Sequence, residues 1–163
     1  MADRFADDLI ALLPRLRRFA LSLARRGDLA DDLVQTAAER ALAHRASFDP
    51  GTRFDAWMFR ILHNAWIDGL RRQRTRGAEI DIDDVSEALS VDGRKVTETA
   101  LTLRAAEAAM AALPEDQRAV MLLVCVEELS YREAAGVLGV PIGTVMSRLA
   151  RARLAVAERM GIR

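Results

Sequence analysis

Between Arg60 and Arg76 lie five arginines against one acid, Asp68. Arginine carries a planar, permanently charged fork that matches phosphate oxygens. A cluster of this kind suits the backbone of an anionic polymer. A run of charge is also what a solvated face looks like, so spacing has to decide. At helical period, Phe59, Leu62, His63, Trp66 and Leu70 share one face, the expected core side. Arg60, Asn64, Asp68 and Arg71 fall opposite at i, i+4, i+8 and i+11, and the stripe runs on into Arg72, Arg74 and Arg76. A polar stripe ending in guanidinium groups is a track along which a DNA backbone can lie.

The C-terminal third carries a second nucleic-acid signature. Ser130-Tyr131-Arg132-Glu133 has the form of a capping box, with Ser130 as N-cap and Glu133 reaching back to its backbone N–H. A short helix through Ala134, Ala135 and Leu138 is then stopped by Gly139, and Pro141 helps to open the next. Two short helices across a Gly-containing turn are a helix-turn-helix. Laid out at about 100° per residue, Val145, Leu149, Ala152 and Val156 form a narrow core arc. Ser147, Arg151 and Leu154 lie opposite, with Met146 and Ala150 bordering on one side and Arg148 on the other. Small polar and Arg side chains pointing outward from such a helix can read a major groove, with flanking arginines for phosphates.

Catalytic chemistry finds no matching residues. The sequence has no Gly-rich phosphate loop and no nucleophile–base pair. His44 and His63 are distant from each other and from Cys125, so no metal site assembles, and His63 reads as a packed core histidine. No cofactor and no small-molecule substrate are expected, and the chain is not read as an enzyme. Hydrophobic residues make up 51% of the 163 and charged residues 29%, enough for packed cores but not a membrane protein. The longest apolar run, Ala119 to Val126, falls far short of the ~20 residues of a span. Asp3, Arg4, Asp7 and Asp8 rule out a signal-peptide core, and the lone Cys125 cannot form an internal disulfide, so a cytoplasmic location is expected.

Formal net charge is zero, but the charge is segregated. The basic stretch above is followed by seven acids between Glu79 and Glu98 against Arg94 and Lys95, and the chain turns basic again from Arg148. The expected elements are all helical. Leu9, Leu12, Leu13, Leu16, Phe19, Ala20 and Leu23 mark a first helix broken at Gly27-Asp28. A second runs from about Leu29 to His44, Asp49-Pro50-Gly51-Thr52 is a turn, and a third runs from Phe54 to about Arg74. Residues 77–97 have no period and read as a flexible acidic linker. Helix resumes from about Glu98 to Ala112, and Leu113-Pro114-Glu115 restarts it as far as about Val126, with Pro114 in the first turn. Phe48, Phe54, Trp57 and Phe59 crowd the turn before the third helix. Trp57 and Phe59 are expected in the core; Phe48, in the loop, is left open between packing and stacking on bases.

These residues resemble a known family. Asp32-Leu33-Val34-Gln35, then Phe54 to Ile61 (FDAWMFRI), then Asn64 and Asp68 before the arginines, resemble region 2 of the extracytoplasmic-function sigma factors of bacterial RNA polymerase, in the sigma-70 superfamily. Leu113 to Arg118 (LPEDQR), Ser130 to Ala135 (SYREAA) and Gly143 to Leu149 (GTVMSRL) resemble region 4. The motifs stand in the family's order and spacing over nearly the whole chain. The resemblance implies two small helical domains, region 2 over 1–76 and region 4 over 98–163, joined by the 77–97 linker.

It also implies roles. Asp32, Gln35 and Glu39 match positions that dock on the clamp helices of the largest polymerase subunit. Ser47, Phe48 and Asp49 resemble the loop that captures a base flipped from the −10 element, and Asn64 matches a position bordering that pocket. Arg60, Arg71, Arg72, Arg74 and Arg76 would hold the strand's backbone. Region 4, which also meets the polymerase flap region, would read the −35 element with Met146, Ser147, Ala150 and Arg151, and grip phosphates with Thr144, Arg148 and Arg153. The linker would thread toward basic channels of the polymerase. An anti-sigma factor, able to sequester the protein at the inner membrane, is the implied regulator, and a stress-response regulon the implied output.

Three positions depart from the family pattern. Thr36 stands where an acid usually follows the Gln, Met146 where Lys or Arg is usual, and Ala150 where a bulkier or hydrogen-bonding residue is usual. The last two thin out the base-reading face, so −35 recognition is expected to lean on Ser147, Arg151 and DNA shape. A self-sufficient repressor would leave the Asp32/Gln35 face without a purpose. A sigma mimic that binds only an anti-sigma factor should have lost Arg60, Arg71, Arg72, Arg148 and Arg151. Whether the two modules pack together in the free chain is left open by the sequence.

Overall fold

A computed structural model of the chain describes residues 3–77 and 97–162, and among them all regular structure is helical. The acidic linker predicted over 77–97 therefore lies almost wholly outside the described residues. Helix α1 spans Arg4–Ala24, capped by the Asp3 side chain. Arg25 adopts the left-handed conformation at φ 60°, and α2 (Gly27–Ala43) follows almost at once. The stop thus falls on Arg25, and Gly27, expected to break the helix, instead opens α2. Helix α3 covers Phe54–Thr75 after a single 3-10 turn at Arg45–Ser47. Leu16, Phe19, Ala20, Ala37, Ala41, Met58, Phe59 and Leu62 are all fully buried between these three helices. The Phe19 and Phe59 rings meet edge to face at 5.4 Å between centroids.

The C-terminal module begins with α4 (Glu98–Ala111), capped by Thr97, and α5 (Glu115–Met121), whose N-cap is Pro114 rather than a first-turn residue. The expected continuation of α5 to Val126 is one widened π turn, Leu122–Val126. Helices α6 (Tyr131–Leu138) and α7 (Ile142–Met160) form the helix-turn-helix. Both halves of the Ser130–Glu133 capping box are present, and Gly139 ends α6 at φ 65°, where a side chain would be strained. Val145, Leu149 and Ala152 are buried and Val156 half-buried, the arc expected from the sequence.

The two modules share one continuous hydrophobic core, with α1 packed on α5 and α3 on α6. Polar contacts stitch the seam. Residues Arg15, Arg18, Ser22 and Arg25, at i, i+3, i+7 and i+10, form a stripe along α1 that faces the C-terminal module. Arg15 Nε donates to Glu127 Oε2 at 2.6 Å, and Arg18 pairs with the other oxygen of the same carboxylate. The Glu127 side chain is 1% exposed. Arg118, also buried, donates to the Ser22 carbonyl at 2.6 Å and the Leu113 carbonyl at 2.7 Å. Arg25 donates to the Ala111 carbonyl at 2.8 Å. Burial, with Arg25 nearby, pulls the Arg118 guanidinium down to about 10, so it remains a cation at neutral pH with its charge met by carbonyl oxygens.

Candidate nucleic-acid interface

The arginine stripe is placed by α3. Its buried side is Met58, Phe59, Leu62 and Ala65, which turns Arg60 and Asn64 outward to solvent. Asp68 is taken up by Arg40 of α2 at 2.9 Å, leaving Arg71, Arg72, Arg74 and Arg76 exposed at the helix end. Cations in the last turn also complement the helix dipole. Two residues assigned to the core sit instead at the module seam. Trp66 is half-buried and donates from Nε1 to Glu115 Oε1 of α5 at 2.8 Å. His63 is half-buried, and burial, helped by the Arg148 guanidinium of α7, lowers its pKa below the ordinary 6.5. At neutral pH it is an uncharged imidazole.

The loop before α3 is braced by aromatic packing and local hydrogen bonds. Phe48 packs edge to face on Phe54 at 5.4 Å and tilted on Trp57 at 5.1 Å, while Phe5 of α1 closes the cluster on Phe54 at 5.3 Å. The Phe48 ring is half-buried, packed on one side while the rest meets solvent. Asp49 accepts the Gly51 backbone N–H at 2.9 Å and its carbonyl accepts the Thr52 hydroxyl at 2.7 Å. A Cβ on Gly51 would stand 3.2 Å from the Asp49 carboxylate, so glycine fits the closest point of this turn. Ser47 and Asp49 remain exposed at the rim.

On α2, Asp32, Gln35 and Glu39 are exposed on one face, with Gln35 donating to Glu39 at 3.2 Å. Thr36 points its hydroxyl at the Asp32 carbonyl, 3.0 Å away, a local bond with no charge to offer a partner. On α7, Met146, Ser147, Ala150 and Arg151 are exposed together, Met146 to 52%. Ser147 donates back to the Thr144 carbonyl at 3.1 Å. Thr144 is half-buried. Arg148 is engaged by Asp116 of α5 at 3.5 Å. Arg153 stands beside Cys125 and Tyr131, whose hydrogen bonds raise its pKa. Three surfaces therefore coexist: an acidic and amide stripe on α2, an arginine stripe with an aromatic-braced loop on and before α3, and an Arg/Ser face on α7.

Sequence reasoning missed the groups at the seam. Glu127 and Arg118 flank an apolar run, but at about 100° per residue they fall on opposite sides of a regular helix, so helical phase gives no signal that both are buried. Arg53, just before α3, was also missed. It pairs with Asp55 at 2.7 Å and Glu133 at 3.3 Å and donates to the Glu128 carbonyl at 3.2 Å. Asp55 is held by both Arg53 and Arg15. Burial alone would raise its pKa, but the hydrogen bonds from Arg53 and Arg15 win and lower it.

Comparison with known proteins places this architecture. Residues 9–76 match the model of Sigma-70 region 2, and residues 103–156 that of Sigma-70, region 4. The ECF RNA polymerase sigma factor EcfG of Rhodopseudomonas palustris is 39% identical over 153 residues, covering 94% of this chain and 83% of the relative. The ECF RNA polymerase sigma factor SigM of Mycobacterium tuberculosis is 35% identical over 161 residues, covering 98% of this chain and 79% of the relative. Among solved structures, the sigma factor RpoE in complex with the anti-sigma factor NepR from Bartonella quintana superposes with a TM-score of 0.76 at 34% identity, covering 99% of each chain. The fold and its paired helical modules define a promoter-selecting transcription initiation protein. The chain belongs to the extracytoplasmic-function sigma factors of the sigma-70 family.

Proposed function

We propose that this chain docks on core RNA polymerase through α2, captures the −10 strand with the α3 module, reads the −35 element with α7, and so starts transcription of a specific regulon. The observation that carries this reading is the coexistence of all three exposed surfaces on one chain, each on its own helix. Asp32, Gln35 and Glu39 would meet the clamp helices. Ser47 and Asp49 would form the rim that holds a flipped base, with Phe48 setting the loop's height and Asn64 bordering it. Arg60, Arg71, Arg72, Arg74 and Arg76 would neutralise phosphates along the strand. Met146, Ser147, Ala150 and Arg151 would face base edges, while Thr144, Arg148 and Arg153 would hold the backbone.

The bond-making chemistry belongs to the polymerase. Control by an anti-sigma factor follows the Bartonella quintana structure, in which the related sigma factor is bound by one. The output is a stress response, and the setting is the cytoplasm, with sequestration at the inner membrane where the anti-sigma factor is anchored there. The test is transcription in vitro with core polymerase on a supercoiled library of genomic fragments, with the transcripts sequenced. Core-dependent transcripts from a limited set of promoters are the expected result. No core-dependent initiation, or tight duplex binding without polymerase, would defeat the reading.

A further inference from the structure

The segment from Arg45 to Arg53 joins α2 to α3 and carries Ser47 and Asp49, which in the proposed function hold a flipped base. A binding constellation works only when its groups stay within about 0.5 Å of the productive geometry, and loops tend to open locally. The polar bonds inside this loop are short-range. The Ser47 hydroxyl donates to the His44 carbonyl at 2.7 Å, the Gly51 N–H to Asp49, and the Thr52 hydroxyl to the Asp49 carbonyl. They shape the turn without fixing where it sits on the helices. Phe48 seats its middle on Phe54 and Trp57 of α3, and both of its ends meet the start of α1.

Asp3, 42 residues before Arg45 in the chain, takes the entry. Its carboxylate accepts both arms of the Arg45 guanidinium, Nη1 at 3.0 Å and Nη2 at 2.9 Å. The same Oδ1 that receives Nη2 also accepts the Phe5 N–H at 3.2 Å as the cap of α1, so one side chain ties the helix start to the loop. The Arg45 guanidinium lies over the Phe5 ring, 4.8 Å from its centroid. Phe5 takes the exit, edge to face on Phe54 at 5.3 Å and on Trp57 at 6.0 Å, the two rings that also receive Phe48. Arg45 opens the 3-10 turn, and its carbonyl accepts the Phe48 N–H at 3.3 Å, so a displaced Arg45 carries Ser47 and Phe48 with it.

We propose that Asp3 and Phe5 are positioning residues for base capture, gripping the entry of the Ser47–Asp49 loop through Arg45 and its exit through Phe54 and Trp57. The Asp3 and Arg45 side chains are 47% and 48% exposed, and an exposed ion pair adds little to global stability. Its two-armed geometry serves local order: it sets the height and tilt at which the loop's rim meets a base. Neither Asp3 nor Phe5 touches DNA in this scheme, so specificity at one promoter position is tuned from a different helix.

The inference rests on the −10 reading of the loop, and the experiment separates the two. Holoenzyme, assembled from core polymerase and the full chain, is titrated with fluorescent single-stranded oligonucleotides carrying the −10 element of a responsive promoter, intact or with one abasic position at a time. The captured base is the position whose loss weakens binding most. Asp3→Asn keeps a capping oxygen for α1 while removing the charge, and Arg45→Gln removes the fork. Each is expected to shrink the captured-base penalty about threefold, the scale of one exposed ion pair, with penalties at the other positions and the thermal midpoint unchanged. The double variant should shrink it no further, because both changes break one pair. Phe5→Leu, which removes the ring beneath Arg45, should act in the same direction; should it unfold the chain, the ion-pair variants decide. An undiminished penalty in the ion-pair variants, a loss spread evenly over all positions, or additive losses in the double variant overturns the positioning role alone. An unaltered holoenzyme with no abasic-sensitive position defeats the −10 reading itself, and the inference with it.

Discussion

At the scale of single residues, the charge of a side chain matters less than what already occupies it. Among the described residues Arg151 is exposed on α7 without a partner, whereas Arg148 is shared with Asp116 and Arg153 with Cys125 and Tyr131. With Met146 and Ala150 offering no side-chain hydrogen bond, the proposed reading leaves direct readout to Arg151 and Ser147. Arg151→Ala is therefore expected to lower discrimination between −35 variants about tenfold, near 1.4 kcal/mol. Competition binding with the assembled holoenzyme measures it. Binding that falls equally across −35 variants with and without the substitution would contradict it. Ser130 is the second residue-scale case. Its hydroxyl accepts from the Glu133 N–H at 3.0 Å and Glu133 returns a bond to the Ser130 N–H at 2.9 Å. That return bond, more than any other contact, lowers the Glu133 pKa. Ser130→Ala should cost about 1 kcal/mol of stability, seen as a lowered midpoint in urea.

At the scale of elements, much was legible because local rules and burial agreed. The capping box, Gly139 and the Val145/Leu149/Ala152 arc specify the helix-turn-helix without any distant contact, and the structure has all of them. Such an arc predicts asymmetry. Leu149, 1% exposed, should cost about 2–5 kcal/mol on Leu149→Ala, whereas Ser147→Ala on the same helix should leave the unfolding midpoint within about 0.5 kcal/mol. What was not legible depended on distant partners. Helical period placed Trp66 on an apolar face, but not that the face would be shared with Glu115 of another module. Period alone also extended α5 smoothly to Val126, because a π turn keeps the apolar character of Leu122–Val126 and only shifts its phase. The Arg15/Arg18/Ser22 stripe was present in the sequence as a helical spacing, yet its partners lie about a hundred residues on. Ion pairs at that separation leave no periodic trace. The three exposed stripes were readable for the opposite reason: each belongs to one helix, and outward residues need no partner within the chain.

At the scale of the whole molecule, the seam couples stability to pH. His63 is uncharged in the native state because burial, with Arg148 beside it, lowers its pKa below 6.5. Between that lowered value and 6.5 the unfolded chain binds a proton that the native chain does not, so stability rises with pH through this window and is level above it. Acidification from pH 7 through 6.5 should therefore lower the thermal midpoint, and His63→Gln should flatten that part of the profile. A flat profile in the unaltered chain would contradict the placement of His63 against α7. In the proposed function neither module alone would select a promoter: region 2 would hold a melted strand and the polymerase, and region 4 the duplex upstream.

The most direct measurement is start-site mapping of transcripts made by core polymerase with and without this chain, on one responsive promoter and on versions with the −10 or the −35 element scrambled. The expected transcripts need both the chain and polymerase, begin at one fixed distance downstream of the paired elements, and fall sharply when either element is scrambled. Transcripts indifferent to both elements, or no dependence on the chain, would contradict it.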